Sequence, residues 1–101
     1  METSYGNPPP NLSPVGAGKH GAFRQAKRDA GIPMGQQPSK VEPNIKNGQI
    51  RDGTAYHFTD QYGNDIIIRH EPGGHFYGPN NPQNRGPHYN GPNNTHYDYS
   101  N

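Results

Sequence analysis

The chain has 101 residues and a mass of 11.1 kDa, room for one small domain. Hydrophobic residues make up only 26%, against 14 Gly and 12 Pro, a balance near that of disordered chains; an apolar core alone does not order every residue, so part of the chain is expected to be loose or to be ordered by a metal, ligand or partner. A formal charge of +1 argues only weakly for a polyanion partner, no apolar run approaches a membrane span, no signal-peptide pattern is present, and the lack of Cys excludes disulfides and thiolate zinc sites.

In chain order, residues 1–18 carry Pro and Gly clusters without apolar periodicity and read as a linker from a larger parent protein, with the folded unit at 19–101. Lys19 to Ala30 predicts the one helix, since Ala22, Phe23, Ala26 and Ala30 form a narrow apolar stripe. Gly31 and Pro33 stop it. Arg24, Lys27 and Arg28 cluster on another face, which serves either as a solvated surface or as a phosphate-contacting one. Ile32 to Gln49 reads as a polar connector, pinned to a core by Met34, Val41 and Ile45.

Strand formers follow in residues 54–59 and 65–70, with turn chemistry at 60–64 between them, so an antiparallel hairpin is predicted over about 50–70. Ile66 and Ile68 share a side with Ile67 opposite, which suits a strand covered on both faces. Glu71-Pro72-Gly73-Gly74 ends it.

The last thirty residues have the composition of a disordered tail, yet one unit recurs: His75-Phe76, His88-Tyr89 and His96-Tyr97, with Gly-Pro-Asn-Asn at Gly78 and again at Gly91. In an extended chain, neighbouring side chains point to opposite faces, so each pair can bury a ring and present an imidazole. Three such pieces joined by Pro turns can bring three imidazoles to one pocket. Glu71 and Asp98 supply carboxylates nearby, His70 is a fourth imidazole in the neighbourhood, and Arg69 or Arg85 can pair with phosphate oxygens. Carboxylate, imidazole and guanidinium without a Ser or Cys nucleophile setting point to chemistry at phosphorus more than to acyl transfer. The competing readings are weakly ordered soluble turns or a non-catalytic His-rich binding module.

The segments GAFRQAKRDAGIPMGQQPSKV (21–41), GGHFYGPNNPQNRGPHYN (73–90) and HYDY (96–99), together with the leading NPPPNLSPVGAG, resemble the C-terminal toxin tips of Rhs-family polymorphic toxins. More narrowly they resemble the Tox-HNH-EHHH nuclease toxins of the HNH/endonuclease VII superfamily. That resemblance implies a small α+β domain borne by a parent Rhs protein and secreted by its producing bacterium. Delivered into the cytoplasm of a competitor, it would cut DNA there while a cognate immunity protein protects the producer. It places the family histidines at His75, His88 and His96 and the family glutamate at Glu71.

Under this reading His75 is the general base, while His88 and His96, with Glu71 or Asp98, hold a divalent ion (Mg or Zn) or protonate the leaving oxygen. Arg69 and Arg85 neutralise phosphate charge, and Arg24, Lys27 and Arg28 position the backbone. The family implies a ββα-metal arrangement, yet the stretch after His75 is too rich in Pro, Gly and Asn for a helix. One helix followed by an antiparallel sheet, with His-bearing turns at the C-terminus, is also the layout of barnase-like ribonucleases. The alternative function is therefore a metal-independent ribonuclease toxin using a His acid–base pair on RNA.

Overall fold

Helix α1 (Lys19–Asp29) forms where its alanine stripe predicts, and Ala22 and Ala26 are fully buried on it. The computed structural model describes residues 8–100. The helix ends in a Schellman motif: Gly31, at φ 76°, lets its N–H reach the Arg28 carbonyl while the Ile32 N–H reaches that of Lys27. Ile32 is thereby tucked into the core at 3% exposure.

Five strands follow, β1 (Lys40–Lys46), β2 (Gln49–Thr59), β3 (Asp65–Glu71), β4 (His88–Asn90) and β5 (His96–Asp98). They form one antiparallel sheet in sequence order, so the domain is α+β. The β2–β3 hairpin is the predicted one, and its turn is held by Asp60, whose Oδ1 accepts from the backbone N–H groups of Tyr62 and Asn64.

Strand β1 corrects the connector reading. Asn47 and Gly48, at φ 53° and 77°, make the two-residue turn whose twist suits a hairpin. Met34, Val41 and Ile45 are exposed, so they do not pin this segment to a core. Pairing with β2 holds it instead, and as an edge strand it tolerates Pro43.

After β3, residues 72–87 run as turns, and among the described residues no α-helix follows the hairpin, only one 3-10 turn at Pro92–Asn94. The helix of a ββα-metal arrangement is thus replaced by two further strands. Residues 1–7 of the expected linker lie outside the described residues. Residues 9–12 lie along β5: the Leu12 N–H donates to the His96 carbonyl, Asn11 Oδ1 accepts from the Asp98 N–H, and Arg85 Nη1 donates to the Pro9 carbonyl.

Strand alternation divides the sheet into two faces. Tyr56, Phe58, Ile66, Ile68, Tyr89 and Tyr97 join α1 in the core, where the Phe23 ring sits 5.2 Å from Tyr56 and 5.0 Å from Tyr89. Tyr97 also anchors the helix, donating its hydroxyl to Asp29 at 3.0 Å. On the same side His70 stacks on Tyr89, 4.4 Å between centroids, with its Nε2 2.7 Å from the Tyr99 hydroxyl.

Burial lowers the His70 pKa, with Lys19 and His88 adding to the effect. The folded chain therefore resists a proton that the unfolded chain takes up below about pH 6.5. The melting temperature is expected to fall as pH drops from 7 to 5.5, and circular dichroism melts of His70→Phe should show a shallower fall.

Candidate metal and nucleic-acid site

The opposite face carries the polar chemistry. Register places Arg69 beside Asn90, Glu71 beside His88, and Asn90 beside His96, so these side chains project from one face of β3, β4 and β5. The expected division of each His–aromatic pair holds for two of the three. Tyr89 and Tyr97 are buried toward the helix, while His88 and His96 occupy the other face. His75 lies in the loop after β3, attached by reciprocal backbone hydrogen bonds to Arg85 (2.8 and 2.9 Å), and its neighbour Phe76 remains 72% exposed rather than buried.

Glu71, His75 and His88 each bring one donor atom to within 4.8 Å of the others. His96 adjoins them, with its ring centroid 5.4 Å from that of His88. Backbone carbonyls set the tautomers: His88 Nδ1 donates to Gly86 at 2.7 Å, and His96 Nδ1 donates to Asn94 at 2.9 Å. In the neutral rings each Nε2 then carries the lone pair. The tight turn from Gly91 back into β5 aids this placement, because a Cβ on Gly91 would meet Thr95 Oγ1 at 2.5 Å.

His88 is fully buried, and its Nε2 has no hydrogen-bond partner although Glu71 Oε1 lies 3.7 Å away. Two buried acceptors facing each other are unfavourable unless a proton or a cation lies between them. Asn90 fixes the other carboxylate oxygen, donating Nδ2 to Glu71 Oε2 at 2.5 Å. A carboxylate and imidazoles with deprotonated nitrogens are the donors a divalent ion takes, so these residues fit a metal. Burial, reinforced by Arg85, lowers the His96 pKa and keeps that ring neutral at physiological pH.

The remaining candidates are placed as follows. Arg69 lines the groove of about 670 Å³ onto which Glu71, His75 and His96 open, and its buried Nε has no hydrogen-bond partner. Arg85 and Asp98 occupy each other: Nε donates to Oδ1 at 2.6 Å and Nη2 to Oδ2 at 3.2 Å. That bidentate pair engages both the expected phosphate clamp and the expected carboxylate ligand. The helix cations lie across the sheet from the groove. Lys27 is 7% exposed, donates to the carbonyls of Met34 and Gln36, and sits 5.1 Å over the Phe58 ring, so it fastens the chain after the helix. Arg28 is bound to Gln25, and Arg24 stays on the outer helix face. Asn90 escaped the sequence reading, and its signal was its position two residues after His88 in a strand.

Glu71, His75 and His96 open onto the groove with Arg69 beside them, and His88 lies buried behind them; a carboxylate, imidazoles and a guanidinium are the groups that metal-assisted hydrolysis uses. Residues 44–101 match the Tox-HNH-EHHH family of HNH/Endo VII superfamily nuclease toxins, and the chain belongs to that family. No curated protein and no solved structure matches it. The domain is thus a nuclease toxin domain of the HNH type. None of its described helices is long and apolar enough to cross a membrane.

Proposed function

We propose that this domain hydrolyses phosphodiester bonds in the DNA of a target bacterium, as the C-terminal tip of an Rhs-type secreted effector delivered into that cell's cytoplasm, and that a cognate immunity protein protects the producer. The observation that carries the metal-dependent form of this reading is the buried, unpartnered His88 Nε2 facing the Glu71 carboxylate. Glu71, His75 and His88 would hold the ion. Two imidazoles in that set favour Zn over Mg, which prefers oxygen ligands. A bound divalent ion supplies charge stabilisation at the phosphoryl oxygens and eases deprotonation of water.

The protein's own groups do the rest. His96, held neutral by its surroundings, accepts the proton of the attacking water at Nε2, a role proposed for it in place of His75 because His75 lies among the prospective metal ligands. Arg69 pairs with a non-bridging phosphate oxygen. Arg85, locked on Asp98, braces β5. The phosphorus–oxygen ester bond breaks as water adds, and the leaving oxygen takes a proton from solvent.

Incubation of the purified domain with plasmid DNA and total RNA, with and without excess chelator, tests this reading. Cleavage of DNA that stops with chelator and returns with added Zn is expected. Undiminished cutting in chelator overturns the metal-dependent form. Intact DNA beside RNA fragments ending in cyclic phosphate would make the domain a ribonuclease.

A further inference from the structure

The groove beside the site is poorly suited to attract a polyphosphate by charge alone. Its ionisable lining, His aside, consists of Arg51 and Arg69 against Asp52, Asp65 and Glu71, a net negative set before any cation binds. Affinity for nucleic acid at this groove therefore has to draw on something besides phosphate contacts.

The loop after β3 offers an alternative. Tyr77 lines the groove, remains 62% exposed, and leans one side of its ring on His75, with centroids 5.1 Å apart. A large aromatic side chain standing in water forgoes the stabilisation of burial, and this one is held in place. Its backbone N–H donates to Asn84 Oδ1 at 2.6 Å, Asn84 Nδ2 donates to the Gly78 carbonyl at 2.7 Å, and the His75–Arg85 bridge closes the loop. The loop that carries the ring is thus fastened, and the ring stands beside an imidazole of the candidate site. Exposed amides of Asn93 and Asn94 share the same groove and can pair with base edges.

We propose that Tyr77 is a stacking platform for an unpaired base next to the scissile phosphate, so that the preferred substrate is single-stranded DNA. The proposal rests on the nuclease reading above and adds to it the strandedness of the substrate and the residue that selects it. A base inside a duplex hides both its faces in the stack and cannot cover the ring, whereas an unpaired base can do so irrespective of its identity.

Initial rates on an end-labelled 20-nucleotide single strand and on the same sequence as a blunt duplex test it. The wild type is expected to cut the single strand at least about tenfold faster. Tyr77→Ala should raise KM for the single strand by about tenfold while kcat changes little, and Tyr77→Trp should restore KM. A fall in kcat on both substrates would instead mean that Tyr77 merely props His75, and it would overturn the platform, as would equal rates on the two substrates.

Stacking is also read without catalysis, from the fluorescence of a single strand containing 2-aminopurine. Quenching by the wild type and not by Tyr77→Ala supports the platform even if no substrate is cut, in which case it is the nuclease reading that fails. Absence of quenching with the wild type overturns the platform even if cleavage is robust.

Discussion

His88→Gln is expected to reduce nuclease activity by a factor on the order of 10²–10⁴, the range spanned by loss of one positioned group in hydrolytic chemistry. The substitution removes the imidazole nitrogen that faces Glu71 with a lone pair and keeps much of the side-chain volume between β3 and β5. Calorimetric titration with Zn should show affinity lost along with activity. The metal-free protein should melt within a few degrees of the wild type, because removal of an unpartnered buried acceptor offsets loss of the hydrogen bond to the Gly86 carbonyl. Activity lost with stability retained is the signature of a functional group; a matched collapse of both would show that His88 is chiefly packing.

The second large effect is expected from a residue that carries no chemistry. In Gly74→Ala the new Cβ would lie 2.1 Å from the Arg85 carbonyl oxygen and 2.6 Å from the carbonyl carbon and oxygen of Gly86. All three are backbone atoms, so no side chain can swing aside. The Arg85 carbonyl is the acceptor of the His75 N–H, and the Gly86 carbonyl is the acceptor that orients His88. One methyl group therefore disturbs two of the three candidate ligands, and it does so at φ 64°, where a side chain costs about 1–2 kcal/mol by itself. Zn affinity and DNA cleavage should each fall by at least about tenfold, comparable with losing a supporting contact of a metal ligand. Far-UV circular dichroism should still report the β1–β3 sheet, which lies away from the clash; loss of that signal would place Gly74 in global folding instead.

The helix and the β2–β3 hairpin were legible because each carries a local signal, the alanine stripe in one and β-branched runs around a turn in the other. Strand β1 was not. Its apolar residues Val41 and Ile45 stay exposed, three prolines in residues 33–43 suggested a connector, and cross-strand pairing rather than burial holds it. The Asn47-Gly48 dipeptide was the missed clue.

Strands β4 and β5, at three residues each, are too short for periodicity; the repeated His–aromatic pairs suggest extended pieces but read as turns, and the pairing that makes them strands is not local. Repetition misled once, at Phe76, because the first pair sits in a loop where alternation has no partner strand to enforce it. The engagement of Arg85 by Asp98 spans 13 positions and that of Lys27 by loop carbonyls arises from folding, so composition and spacing could not show either.

The two-sided arrangement of β4 and β5 carries a cost in evolvability. Each strand alternates a ring that belongs to the interior with an imidazole that belongs to the solvent-side chemistry, so adjacent letters of the sequence do unlike jobs. A one-residue slip in the register of either strand would turn its two sets inside out, sending its imidazole among the tyrosines and its tyrosine toward the groove. Substitutions can tune such a domain gradually, while length changes within these two strands cannot; the intervening turns, where one-residue steps reverse nothing, are the places left for insertion.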